Sequence, residues 1–383
     1  MSLKQILSSY WEKIQGELLP FLDQAIGPLT PAHERLVIVL DMVRIETLVQ
    51  HWSGLPGRPP AERAALGRAF IAKAVLNLST TRMLIDRLAV DRVLRRLCGW
   101  SRLGEVPHES TFSRAFSEFA DSALPSRLHE ALIIRTHKGR LVGHIARDST
   151  AIEGRERPQS AHKRKAATPG TVTKRGRPKK GEERPQKALR RLEQQAAGMS
   201  MTAMLADLPA SCDVGIKRNA QGYQQKWIGY KLHIDTADGD IPISCILTSA
   251  SVHDSQVAIP LAILTSRRVT NCYDLMDSAY DAPEIADHSR SLGHVPIIDI
   301  NPRRRAGLKQ ELADEARRQH LVGHVPAHDI RYNQRSSAER ANSALKDHHG
   351  GDAVWVRGHH KVICHLMFGI LAISAQQILR LVT

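Results

Sequence analysis

The hydrophobic pattern of this chain changes period near residue 140, and that change restricts it to a helical region followed by a mixed α/β region. Up to about residue 135, apolar side chains recur three and four apart, as in Leu36, Val39 and Leu40, then Met42, Ile45, Leu48 and Val49, and later Val93, Leu97 and Trp100. That is the spacing of helices with one buried face. Leu55-Pro-Gly-Arg-Pro-Pro60 marks a turn between two of them. Beyond the change, apolar runs shorten to strand length at Leu141–Ala146, Trp227–Ile234, Ile241–Leu247, Cys272–Met276 and Val295–Ile300. Several are bounded by turn residues such as Asp238-Gly239-Asp240. Helical stretches at Gln256–Leu264 and Ala282–Leu292 separate the later runs. At 383 residues the chain can bury a sizeable core in two or three domains, and the order of elements predicts a mixed α/β fold.

A formal net charge of +15 points to a polyanionic partner, although a ribosome-associated or simply basic protein would share it. Much of the charge lies in residues 153 to about 211, a basic, Pro- and Gln-rich insertion whose first half lacks apolar periodicity and is expected to be partly disordered. Within it, Lys174-Arg-Gly-Arg-Pro-Lys-Lys180 resembles an AT-hook. Arg175 and Arg177, with Lys179 and Lys180, could enter a narrow minor groove or serve a general phosphate-binding tether. From Gln186 to Met204 a helical pattern resumes, with Leu189, Leu192 and Ala196 aligned.

The five cysteines are scattered with no CxxC pair, which argues for a reducing cytosol and against a zinc-finger or disulfide framework. No secretion signal opens the sequence. Val362–Val382 is apolar enough to raise the question of a membrane span, but His365, Gln376, Gln377 and Arg380 favour a buried terminal helix. No membrane partner is expected.

Around residues 105–120, Phe112, Phe116 and Phe119 form an apolar stripe that Ser110 or Thr111 could cap, with Arg114 on another face. A helix-turn-helix whose Arg114 meets DNA fits this segment, as does an ordinary helical bundle.

Two aspartates and one helical stripe carry the chemistry. Asp148 follows the first apolar run, and Asp277 ends Cys272–Met276. If those two strands are parallel neighbours, both carboxylates emerge at one sheet edge, where open α/β sheets place ligands. Asp254 after His253 reads as a helix N-cap, and Asp235 and Asp281 as strand-end or turn residues. Asp274 alternates onto the opposite face from Asp277. Tyr332, Arg335, Glu339 and Lys346 follow the spacing Tyr-x2-Arg-x3-Glu-x6-Lys, which at about 100° per residue confines them to a stripe roughly 60° wide on one helix. A solvated helix with charge pairs would also space them so. A carboxylate flanked by a guanidinium, an ammonium and a phenol makes more sense where a metal ion and a phosphate are held together. With Asp148 and Asp277 it points to DNA strand transfer.

These residues resemble the insertion-sequence transposases of the DDE class that carry the YREK signature. The resemblance rests on Arg147-Asp-Ser-Thr150, Gly229-Tyr-Lys-Leu-His233, His253-Asp254 before a helix, Asp277-Ser-Ala-Tyr-Asp281, the stripe itself, and Trp355-Val-Arg-Gly-His-His-Lys-Val362 before an apolar helix. It spans roughly residues 140 to 383 and, more weakly, the helical region.

It implies an RNase H-like mixed sheet flanked by helices in residues 136–383, preceded by an all-α DNA-binding region in 1–135. It implies two Mg²⁺ ions, replaceable by Mn²⁺, held by Asp148, Asp277 and Glu339. Such an enzyme cuts double-stranded DNA at the terminal repeats of its element and joins the freed 3′-hydroxyl to target DNA. Tyr332, Arg335 and Lys346 would contact DNA near the element end, a dimer would assemble on that DNA, and the protein would sit with the nucleoid in a bacterial cytoplasm. Two departures stand out: the basic insertion after Asp148, and the 62 residues from Asp277 to Glu339 (339 minus 277), too few for a large inserted β-domain. A DNA-binding regulator without catalysis and a metal-dependent nuclease of the same fold are the competing readings.

Overall fold

The computed structural model describes residues 3–49, 61–158, 189–218, 222–303 and 305–381. As the periodicity predicts, the chain is helical as far as His137. Helix α1 (Leu3–Lys13) runs through a π-helical turn into α2 (Leu19–Ile26), and α3 (Pro31–Val43), α4 (Arg63–Val75), α5 (Thr81–Val90), α6 (Arg92–Cys98), α7 (Glu109–Asp121) and α8 (Leu124–His137) follow. Side-chain oxygens of Thr30, Thr80 and Asp91 accept from amides in the first turns of α3, α5 and α6, satisfying donors a helix start leaves free. Helix α7 departs from expectation. His108 caps it, its Nδ1 accepting from the Ser110 amide at 3.2 Å, because the helix begins at Glu109 and places Ser110 and Thr111 inside the first turn. Its phenylalanine stripe is buried, with Phe70 of α4 against all three rings. The turn expected at Leu55–Pro60 lies outside the described residues.

The sheet contains β1 (Leu141–Glu153), β2 (Asp213–Arg218), β3 (Gln224–Ala237), β4 (Ile241–Ser249), β5 (Thr270–Met276) and β6 (Val295–Ile298). Strand β3 is antiparallel to β1 and also pairs with β2 along its first half and β4 along its second. Strands β1, β5 and β6 are parallel neighbours. Two expectations change. Strand β2 was not among the predicted runs, and β1 does not stop before Asp148. Pairing with β3 carries β1 on to Glu153, opposite Gly229, so Asp148 lies mid-strand.

Helices α9 (Arg191–Ala196) and α10 (Met201–Asp207) precede β2, α11 (Ala258–Ser266) links β4 to β5, and α12 (Pro283–Ser291) links β5 to β6. Then come α13 (Ala306–Val322), α14 (Ala327–Tyr332), α15 (Ser336–His348) and α16 (His359–Arg380). The second half of the predicted insertion is thus helical. Leu192 packs against the cluster of Met276, Tyr280 and Ile285. Between Asp277 and Glu339 the described residues contain β6 and helices, with no inserted β-domain.

Alternation along the strands divides the side chains between two layers. Ile241 and Ile243 of β4 join the N-terminal helices and Phe368, Leu371 and Ala375 of α16 in one core. Ile246 faces the other way, onto Val257 and Leu261 at α11. Helix α16 is long and apolar enough to cross a membrane by length and composition, but it lies buried between the helical region and the sheet. The change near residue 140 is therefore a change of element type inside one continuous core. Gly369 sets the closest approach in this layer. A Cβ there would lie 2.7 Å from the His349 carbonyl oxygen and 2.8 Å from Leu345 Cδ1, so glycine is what lets α15 lie against α16.

Candidate active site

Parallel pairing of β1 and β5 puts Arg147 opposite Met276, and the next residue along each strand is an aspartate, Asp148 and Asp277. The pleat sends Arg147 and Met276 to the α11 face, where the guanidinium reaches the Met276 sulfur at 3.4 Å, and turns Asp148 and Asp277 to the other. The condition set on the sequence, adjacent parallel strands, is met. Asp277 sits at the strand end and accepts from the Ala279 amide at 3.0 Å. Burial raises the Asp148 carboxyl to about 6, and the charge of Asp277 adds to that rise while Arg335 and Lys217 oppose it. Burial also raises Asp277, with Asp254 adding to the effect. Two partly desolvated carboxylates thus repel each other at one end of the sheet, an arrangement that a cation relieves.

A buried network fixes the strands behind them. Arg147 donates to Asp235 through Nε and Nη2, both at 2.8 Å, and Thr265 of α11 donates to the same carboxylate at 2.6 Å. Asp235 is therefore a buried ion-pair partner rather than the strand-end residue expected. Asp254 is likewise not a cap. His253 caps the short 3₁₀ turn Asp254–Gln256, while Asp254 accepts from Ser149 at 2.9 Å and Lys231 Nζ at 3.1 Å. Burial pushes the Asp254 carboxyl upward, but His233, Lys231 and Ser149 outweigh it and hold the group below its ordinary value. Asp274, on the face opposite Asp277 as expected, bonds Asn271, Ser289 and His294.

The stripe occupies three consecutive helical pieces rather than one helix. Tyr332 ends α14, Arg335 ends a 3₁₀ turn (Asn333–Arg335), and Glu339 and Lys346 lie in α15. The tighter 3₁₀ turn changes the angular spacing, yet the first three residues of the stripe still meet. Arg335 lies 5.6 Å from the Tyr332 ring centroid and donates to Glu339 at 2.6 Å. Glu339 is exposed and turned to Arg335, and Lys346 is half-buried. Three residues past Glu339, Asn342 donates from Nδ2 to Asp148 Oδ2 at 3.2 Å, while its Oδ1 is buried with no hydrogen-bond partner among the described residues. The α15 face carrying Glu339 therefore looks toward the aspartate pair. Arg335 bears on Asp148 as well as Glu339, because its positive charge acts on both.

Of the other predicted contacts, Arg114 is exposed on α7 and donates to the Ser110 carbonyl at 3.2 Å. Arg175, Arg177, Lys179 and Lys180 lie outside the described residues. Sequence reasoning missed Asn342 and Lys217. Asn342 was findable as the residue three beyond Glu339. Lys217 belongs to the strand whose existence was not predicted.

The donors present suit a hard divalent cation: two carboxylates and an unpaired amide oxygen, all oxygen, with no thiol or imidazole among them. The third expected carboxylate does not join them, and among the described residues no three His, Cys, Asp or Glu side chains stand close enough together to hold a metal ion.

Residues 208–375 match the family model of the transposase DDE domain, and residues 24–118 match a transposase domain of otherwise unassigned function. Together the matches support an insertion-sequence transposase of the DDE class. The first contains Asp277, Glu339 and Asn342, while Asp148 precedes it. The second covers α3 to most of α7, so the helical region is matched independently of the sheet. Comparison with curated proteins and with solved structures returned no match. A helical N-terminal region followed by a mixed sheet flanked by helices is the RNase H-like architecture of such a DDE domain.

Proposed function

We propose that this transposase binds the double-stranded ends of its own insertion element, cleaves them by metal-dependent phosphoryl transfer and joins the freed 3′-hydroxyl to target DNA. The reading is carried by the mutually repelling carboxyls of Asp148 and Asp277 on one sheet face, a pairing that packing does not require and a phosphate-binding surface would otherwise avoid. Asp148 and Asp277 would hold Mg²⁺ or Mn²⁺, with the Asn342 amide oxygen beside them and Glu339 joining after it leaves Arg335. Bound divalent cations would neutralise charge developing on the attacked phosphate and on the attacking and leaving oxygens.

Arg335 has two candidate anions, Glu339 and a DNA phosphate, and a phosphate competing for its planar fork would release the carboxylate. Tyr332 and Lys346 flank that exchange, and Arg114 and the basic tract supply further phosphate contacts. Cleavage at two ends calls for two copies on the DNA, so assembly as a dimer is part of the proposal.

The pairing of Glu339 with Arg335 also favours a second reading, a DNA-binding regulator without catalysis. Labelled DNA carrying the ends of the flanking element, incubated with Mg²⁺, separates the readings. Nicking at the ends followed by joined products supports the transposase. Nicking without joining indicates a nuclease, and binding without nicking in Mg²⁺ or Mn²⁺ supports the regulator.

A further inference from the structure

Four features of the sequence still lack a role: Ser149 beside the first aspartate, Gly229–His233, His253-Asp254, and Tyr280 after the second aspartate. The fold brings them together. Ser149 and His233 face each other across β1 and β3, with Lys231 two residues along, so the pleat turns all three to the face away from Asp148. There they converge on one oxygen. Asp254 Oδ1 accepts from Ser149 at 2.9 Å and from Lys231 at 3.1 Å, and the buried His233 Nδ1 lies 3.6 Å from it. Lys231 also donates to the Val252 carbonyl at 2.8 Å, which pins the turn carrying Asp254.

An ion pair with Lys231 would account for that oxygen alone. Asp254 Oδ2 takes no hydrogen bond from the described residues, and 21% of the side chain is open to solvent. The 3₁₀ turn that begins at Asp254 packs on a second 3₁₀ turn, Ser278–Tyr280, which Asp277 caps. Asp254 is thereby brought near Asp277, and of the charges acting on Asp277 its own comes first. Tyr280, in that second turn, is 1% exposed, and its hydroxyl has no hydrogen-bond partner among the described residues. The charges of Asp254, Asp148 and Asp277 all act on it. A buried hydroxyl left unpaired among three carboxylates costs stability unless a further group meets it.

We propose that Asp254 and Tyr280 are positioning residues for the cation of Asp148 and Asp277, acting through a water on that cation that donates to Asp254 Oδ2 and accepts from Tyr280. The inference rests on the reading of that aspartate pair as a cation site. Mg²⁺ dehydrates reluctantly and usually keeps several waters, so a carboxylate that never touches the ion still governs its affinity. Asp254 suits this role because Ser149, Lys231 and His233 fix it through one oxygen and leave the other to the water. It is placed as an acceptor rather than a ligand, since among the described residues no three His, Cys, Asp or Glu side chains stand close enough to hold an ion together.

The test is Mn²⁺ binding to the DNA-free protein near neutral pH, read by electron paramagnetic resonance. Wild type is compared with Asp254→Asn, Tyr280→Phe, the double variant Asp254→Asn/Lys231→Met, and Asp277→Asn as reference. Asp254→Asn should bind about tenfold more weakly and Tyr280→Phe severalfold more weakly. The number of waters on Mn²⁺, counted by electron spin-echo modulation in D₂O, should stay unchanged in both. Without metal, Tyr280→Phe should melt no lower than wild type, since it removes an unpaired hydroxyl. The double variant removes one charge of each sign and leaves no stranded lysine, so any affinity it still lacks reports the contact with the water. It should bind as weakly as Asp254→Asn. Recovery of wild-type affinity in the double variant would overturn the proposal and leave Asp254 as the partner of Lys231 only. A water gained on Mn²⁺ in Asp254→Asn would overturn it by making Asp254 a direct ligand, and a lower melting temperature in Tyr280→Phe by making that hydroxyl structural. Wild-type affinity in Asp254→Asn and Tyr280→Phe beside a weakened Asp277→Asn sinks this inference alone, whereas wild-type affinity in all three sinks the cation site itself.

Discussion

Asn342, one turn along α15 from Glu339, donates to Asp148 at 3.2 Å and ties the stripe-bearing helix to the strand carrying the first aspartate. The bond favours the ionised carboxylate, so Asn342→Ala should raise the Asp148 pKa further above its already elevated position. Cleavage near neutral pH should fall by about tenfold, with the acidic limb of the pH–rate profile moved to higher pH. A change in melting temperature with an unmoved profile would make Asn342 a packing residue only.

Because burial raises Asp148 to about 6, the metal-free protein binds that proton more tightly folded than unfolded. The ionised group therefore costs stability as pH rises from the unfolded value near 4 through about 6. Asp148→Asn should melt a few degrees higher than wild type at pH 7 to 8, and the two should converge below about pH 4. Thermal scans in EDTA across that range check the sign. A variant less stable than wild type at pH 8 would show that the ionised carboxylate is well compensated.

Replacing Asp235 by Asn should destabilise the fold by about 3–5 kcal/mol, because it strands the buried Arg147 guanidinium. Denaturant midpoints report this, and replacing both residues by apolar ones should recover much of the loss. Equal stability of Asp235→Asn and wild type would mean that Arg147 finds another acceptor, such as the nearby Asp274.

Gly369→Val should force α15 away from α16, since its first added carbon already meets His349 and Leu345. A loss of about 1–3 kcal/mol is expected from the overpacking, with a larger fall in cleavage than in DNA binding because α15 carries Glu339 and Asn342. Unchanged cleavage would separate the placement of α15 from the chemistry.

The fold class was legible because the hydrophobic period changes where helices give way to strands, and five of the strand runs fall where the structure has β1 and β3 to β6. Strand β2 was not legible. Asp213-Val-Gly-Ile-Lys-Arg218 exposes Val214 and Ile216 and follows the basic tract, so no strong apolar run announces it. Asp148 and Asp277 could be chosen from the sequence because each adjoins an apolar run, but their adjacency depends on the parallel register. Asp235 and Asp254 were misread for a shared reason: a carboxylate near a turn looks like a cap until its partners, Arg147 and Lys231, arrive from distant strands. Glu339 was singled out by its place in the stripe and by the resemblance, and its bond to Arg335 is the ordinary i,i+4 pairing that the same spacing allows.

The central claim, that Asp148 and Asp277 form one cation site, is tested most directly by Mn²⁺ binding to the DNA-free protein, followed by electron paramagnetic resonance. Wild type should bind Mn²⁺, with Asp148→Asn and Asp277→Asn each at least about tenfold weaker and Glu339→Gln much less affected. Mn²⁺ binding unchanged in both aspartate variants would contradict the account.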